Sequence, residues 1–227
     1  GDNGCFGDPF TVTVTVNPEP VVADQAIEVC SDEALGYTLL GDIDTPAVAT
    51  YNLTNIESNG LAGASGNQVV ADGLSADALQ GDVWTNETSS PVDVVYTLTP
   101  VGDNGCFGDP FTVTVTVNPE PVVADQAIEV CSDQALGIDF GSSSSVAATT
   151  YEITALELNG LTVSAGGAAV NGNALNASDL SDDAFTNQTP SPVNVVYTVV
   201  PYYNSTPGDS FTVTVTVNPE PVVADQA

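Results

Sequence analysis

The chain of 227 residues contains no Lys, no Arg and no His, against 30 Asp plus Glu, for a formal net charge of −30. No salt bridge can form between its side chains. Each carboxylate has to be solvated, hydrogen-bonded to a neutral donor, or neutralised by a cation from outside the chain. Nucleic-acid binding needs a positive footprint to displace counterions from phosphates, and it is excluded here. The missing His and Lys also remove the usual general bases for a serine or cysteine nucleophile. A glycosidase could work with two carboxylates alone, but nothing in the sequence sets a pair across a cleft at the required separation of about 5 to 9 Å. No enzymatic activity is expected. The four cysteines come without His and without a close Cys pair, which argues against zinc and for oxidising, extracellular or cell-surface surroundings. No apolar run approaches the roughly 20 residues of a membrane span, so this segment is not expected to insert into a bilayer.

What is present is repetition. Gly1 to Gly36 reappears as Gly102 to Gly137 with one change, Glu33 to Gln134, and FTVTVTVNPEPVVADQA occurs a third time at 211–227. The landmarks Phe10, Phe111 and Phe211 recur at about 100 residues, the size of one small domain rather than of a solenoid unit. The division expected is 1–20, the final strand and linker of a truncated upstream repeat; 21–121 and 122–221, two whole repeats; and 222–227, the start of another. The chain thus reads as a segment of a longer one. With 42% hydrophobic residues each module has the means to build a core.

In each closing stretch, as at Phe10, Val12, Val14 and Val16, valines alternate with threonines, the period of a half-buried strand. Val94, Tyr96 and Leu98 alternate likewise just before the second copy, and the turn-rich PVGDNGCFGDP joins the two as an antiparallel hairpin. Val195, Tyr197 and Val199 repeat the arrangement. Asn-Pro-Glu-Pro then ends each strand and stiffens the exit. Val21–Cys30, Leu35–Leu40 and Val48–Ile56 read as extended, Asn59-Gly60 and Asn159-Gly160 as turns, and Ser75–Trp84 and Asn176–Phe185 stay unassigned. About seven short strands per module indicate an all-β, immunoglobulin-like Greek-key sandwich. Trp84 and Phe185, at equivalent places, are expected to plug the cores.

The early "VCSD", the aromatic ahead of "TNxTxSPVxVVYT", the "GDNGC" loop and the closing "FTVTVTVNPEP" together resemble the PKD-like, Ig-like repeats of very large bacterial cell-surface adhesins, including those exported by type IX secretion. The resemblance covers both modules, except that the second module's loop departs from "GDNGC". It implies tandem β-sandwiches, beads on a string, in a stalk or extracellular filament, and brings no catalytic residues. Neighbouring repeats, or like chains in a fibre, are the partners it implies. An alternative is a calcium-assisted module that binds carbohydrate or protein.

In such a sandwich the start of the first strand and the loop between the last two strands share one end. Cys30 can then meet Cys106, provided the paired strand begins near Cys30. Cys5 would pair with an upstream repeat, and Cys131 would lack a partner. The alternative pairs Cys5 with Cys30 and Cys106 with Cys131 and leaves none over, but each pair spans a whole strand, roughly 25 to 30 Å.

Carboxylates gather in loops: Asp32 and Glu33, Asp42 and Asp44, and Asp179, Asp182 and Asp183. Glu19 and Asp24 in the linker and Asp103, Asn104 and Asp109 at the hairpin tip would share one module end, a candidate calcium set without EF-hand spacing. Tyr202 and Tyr203 in the second tip are the candidate ligand-contacting aromatics. Asn86 and Asn187, matched sequon positions, are expected to cap turns.

Overall fold

A computed structural model describes residues 2–4, 6–41, 46–141, 143–165, 172 and 174–221. Cys5, Asp42, Asp44 and residues 222–227 lie outside the described residues. Those described contain strands, turns and no helix. The first module holds β1 (Gln25–Cys30), β2 (Val48–Glu57), β3 (Ala62–Gly63), β4 (Ala71–Leu74), β5 (Trp84–Thr85), β6 (Val92–Gly102) and β7 (Phe111–Asn118). The second holds β8 (Gln126–Cys131), β9 (Thr150–Glu157), β10 (Thr162–Val163), β11 (Phe185–Thr186), β12 (Val193–Tyr203), β13 (Thr206–Pro207) and β14 (Phe211–Asn218). The main sheet of the first runs β1-β7-β6-β2-β4, faced by the β3-β5 pair. The second repeats it as β13-β12-β14-β8 with β9 on β12, faced by β10-β11.

The closing strand is the centre of each module. β7 pairs antiparallel with β6, Val94 opposite Val115 and Leu98 opposite Phe111, and parallel with β1, Ile27 opposite Val115 and Cys30 opposite Asn118. Its valines 113, 115 and 117 are fully buried, each burial contributing about 1.5–3 kcal/mol, while its threonines face the half-exposed side. β14 repeats this between β12 and β8. The first copy of the same sequence behaves otherwise. Phe10, Val12, Val14 and Val16 are 75–87% exposed and form no strand, a correction to the expected half-buried strand there. Among the described residues no strand pairs with them.

Around this sheet the turns follow from local chemistry. Asn59 and Asn159 adopt φ of 49° and 50°, followed by Gly60 and Gly160 at φ of 95° and 94°, the left-handed conformations that Asn and Gly tolerate best. Leu35–Leu40 forms no strand but inserts Leu35 and Leu39 into the core. The segment 75–82 is a run of i→i+3 turns, Ala78 N to Ser75 O, Gln80 N to Asp77 O and Asp82 N to Leu79 O, which drives Leu79 inward to complete burial. Trp84 and Phe185 are core residues at 7% and 0% exposure.

Each core also holds a polar network. Trp84 Nε1 donates to Tyr96 OH (2.7 Å), and that hydroxyl donates to Asp82 Oδ2 (2.7 Å), whose Oδ1 accepts Gln68 N (2.7 Å). In the second module Phe185 has no indole donor, Tyr197 OH donates to Asp183 Oδ2 (2.6 Å), and no described donor reaches Asp183 Oδ1. Burial pushes the Asp183 carboxyl up to about 6, against the pull of the Tyr197 hydroxyl and with help from the Asp182 charge.

Asn86, fully buried, caps its turn as expected. Its Oδ1 accepts Thr88 N (3.0 Å) and Thr88 Oγ1 (2.7 Å), and its Nδ2 donates to Ser90 O (3.0 Å) and Val117 O (2.8 Å). Asn187 makes the equivalent set. Asn86→Ala strands several of these groups and should cost about 3 kcal/mol in urea denaturation. Asp183 keeps its proton in the folded module up to about pH 6, whereas an ordinary Asp carboxyl releases it near 3.8. The folded state therefore binds the extra proton between those values, and stability falls as pH rises through that window. Thermal denaturation from pH 4 to pH 7 should show this decline, and Asp183→Asn should lessen it, most of all below pH 6.

Candidate functional site

The densest meeting of distinct groups lies where one module ends and the next begins. Asn118 ends β7, and Pro119 cannot donate to the ladder, so the chain leaves the sheet there. Pro119, Glu120 and Pro121 are buried rather than free. On one side Glu120 N donates to Asn86 O (3.0 Å). On the other, Val122 N donates to Ser143 Oγ and Ser145 Oγ (3.0 Å each), Ser144 N donates to Val122 O (2.9 Å), and Ser145 Oγ donates to Glu120 O (2.6 Å). The serine run of the second module thus holds the linker against the exit of the first.

The β12–β13 hairpin tip seats on the same exit. Gly208 lies so close to Pro121 that a Cβ there would stand 1.9 Å from the proline carbonyl oxygen, and Gly108 meets Pro20 O at the same 1.9 Å. Only glycine fits either place. Thr206, 5% exposed, donates through Oγ1 to Cys30 Sγ at 3.1 Å. Clefts of about 300 and 360 Å³ flank the contact. The exit of one module and the tip of the next therefore meet.

Three carboxylates converge at this seat. Asp32, Glu120 and Asp209 each offer an oxygen within 4.8 Å of the others. Glu120 is 2% exposed, and burial, then the charges of Asp32 and Asp209, push its carboxyl up to about 7. Asp32, at φ of 60°, is anchored by the Thr85 hydroxyl (2.6 Å). Oxygens alone at such spacing suit a hard divalent cation such as calcium rather than a soft metal.

The residues singled out from the sequence fare differently. Asp24 is engaged elsewhere: its Oδ1 accepts Thr112 N (2.7 Å) and Thr112 Oγ1 (3.0 Å), which hold it below the ordinary Asp range. Asn104 holds the first tip, donating to Pro18 O (3.0 Å) and accepting Cys106 N (3.0 Å). Glu19, Asp103 and Asp109 are exposed, and these five do not form a converging set among the described residues. Glu19 and Asp109 are nonetheless the repeat counterparts of Glu120 and Asp209, so shifting them by one period would have found two of the three. Tyr202 and Tyr203 do not form an exposed pair. Tyr202 donates to Glu152 Oε2 (2.9 Å), and Tyr203 lines the cleft against the first module.

The Cys30–Cys106 bridge is overturned. Cys30, Cys106 and Cys131 are free thiols. The paired strand begins at Gln25, not near Cys30, so Cys30 ends it opposite Asn118, while Cys106 sits in the tip that precedes Phe111. The length of β7, about 25 Å, separates them.

Two tandem matches to the PKD-like domain cover residues 27–121 and 128–221. Among curated proteins nothing matches. Solved structures similar to the chain include human protocadherin-24 EC1-2 (13% identity, 91% of this chain, 100% of that one, TM-score 0.29). The fibronectin(III)-like modules of Clostridium thermocellum CbhA are a second (13%, 92% and 99%, TM-score 0.29). Mouse clustered PcdhgC3 EC1-3 is a third (12%, 90% and 68%, TM-score 0.27). Those scores carry no argument about ligand or activity. PKD-like domains are typically extracellular and generally non-catalytic. The chain belongs to the PKD-like domain family, as tandem β-sandwiches joined through a buried linker.

Proposed function

We propose that these modules are a spacer segment of a large secreted or cell-surface repeat protein, one that holds an adhesive region away from a cell or builds an extracellular fibre. The observation that carries this reading is the buried linker Pro119–Glu120–Pro121, held by the exit of one module and by the serine run of the next. A joint that only tethered two domains would leave such a linker solvated. The same tip-to-linker contact at Gly108 and Gly208 supports a geometry that can repeat. Like charge keeps neighbouring rods apart. Small-angle X-ray scattering of the 227-residue chain should give a radius of gyration well above the roughly 17 Å of a single compact globule of that size. A value near 17 Å would rule out the end-to-end arrangement.

A second reading, a calcium-assisted module that binds carbohydrate or protein, is favoured by Glu120. A buried carboxylate facing Asp32 and Asp209, in a chain without a basic side chain, lacks a counter-charge unless a cation supplies it. The carboxyl of Glu120 is raised from an ordinary 4.5 to about 7, so its contribution to stability is lost as pH rises through that interval. A calcium ion held by these three carboxylates would restore it. In a chelator the melting temperature should fall between pH 5 and pH 7.5. Calcium at about 100-fold over its Kd should raise it by roughly 5 °C at pH 7.5 and far less at pH 5. Glu120→Gln should lessen the pH-dependent fall, leaving the part due to Asp183, and abolish the calcium response; a calcium response that survives the substitution would exclude this site.

A further inference from the structure

We infer that the junction is a site for a disulfide between consecutive modules, formed wherever a module with a cysteine at its hairpin tip follows one whose first strand ends in cysteine. The argument rests on structural equivalence between the two modules. In the first tip Val101 bridges Phe107, Gly102 N donates to Cys106 O and Gly108 N donates to Pro100 O. In the second, Tyr202 pairs with Pro207, Tyr203 with Thr206, and Gly208 N donates to Pro201 O. Thr206 therefore stands where Cys106 stands, and both tips press a glycine on the preceding linker proline. The other half of the seat is Cys30, opposite Asn118, whose counterpart Cys131 lies opposite Asn218.

Within this chain the seat holds one thiol and one hydroxyl, Cys30 Sγ and Thr206 Oγ1, 3.1 Å apart. A disulfide needs its sulfurs at about 2.0 Å, so a cysteine in place of Thr206 has roughly 1 Å to close, part of which the longer C–S bond covers. The two positions are shielded, Thr206 buried and Cys30 half-buried. Bond formation removes a proton from each of two thiols and two electrons in all. A small-molecule disulfide accepts them and leaves as two thiols. By the same equivalence Cys106 would face the exit of a preceding module and Cys131 the tip of a following one, places outside their own sandwiches. The tip sequence then decides which junctions are covalent. GDNGC allows the bond and YYNSTPG withholds it.

The mechanical consequence follows from where the bond would attach. Cys30 is the last residue of β1, and position 206 precedes β14, so the staple encloses a chain separation of 176 residues. Tension entering along β1 would pass through sulfur to β14, and residues 31–205 would lie outside its path. The inference concerns bond formation at the seat and stands whether or not the array is a spacer.

The test uses the full chain carrying Thr206→Cys, treated with oxidised glutathione and digested with a Glu-specific protease, since trypsin has no site here. The expected product is a crosslinked peptide joining Cys30 to position 206, with both glutathione halves released as thiols; the unsubstituted chain, with a hydroxyl at 206, can give at most a mixed disulfide of Cys30 with glutathione and no such crosslink. Transplanting residues 101–108 in place of 202–208 supplies a native cysteine tip and should give the equivalent crosslink if the point variant folds poorly. Single-molecule stretching of either oxidised variant should release about 600 Å less contour length than its reduced form. Absence of the crosslink from Cys30 to the tip cysteine in both variants, or a bond from Cys30 to Cys106 or Cys131 instead, overturns the inference.

Discussion

Both modules depend on one pairing, the capture of the closing strand between the strand before it in sequence and the first strand of the same module. That arrangement joins the module's two ends in one sheet, antiparallel to β6 and parallel to β1. It buries the valine row without help from an outside chain. It also sends the hairpin tip to one end of the sandwich and the linker to the other, so that the exit of the first module meets the tip of the second. The fate of residues 10–16 shows how much rests on this pairing. Residues 10–16, with the same sequence as the start of β7 and β14, pair with no strand among the described residues and stay exposed.

The second constraint is the absence of basic side chains. Carboxylates near the sheets take neutral donors: Asp24 on Thr112, Asp93 on Thr116, Asp32 on Thr85, Glu28 on Asn118, and Asp133 on Ser164 and Thr186. The threonines alternating with core valines therefore have two roles, β-forming shape and hydroxyl donation. The backbone N–H and then the hydroxyl of Thr112 and of Thr212 hold Asp24 and Asp125 below the ordinary Asp range, and the hydroxyls of Ser164 and Thr186 do so for Asp133. Inside the modules the compensation weakens, and Asp183, with one oxygen unmet among the described residues, is raised. At the junction it reverses, because Glu120 meets two further carboxylates in a buried setting. The place where charge is least compensated is thus the place where two modules touch.

The sequence by itself determined the strand content, the repeat, the β6–β7 and β12–β14 hairpins, the Asn-Gly turns, the capping role of Asn86 and the core places of Trp84 and Phe185. These follow from period, turn chemistry and residue shape, which act over a few neighbours. Only the tertiary structure decided where β1 starts along β7, since a parallel partner about 90 residues away has no local signal for its register. That register moved Cys30 from the tip end of its module to the exit end, and it broke the expected pairing with Cys106. The junction was equally illegible. Its parts, Asp32, Glu120, Ser145, Thr206 and Asp209, are scattered along the chain, and they meet because a packed linker and a glycine tip bring the end of one sandwich against the next.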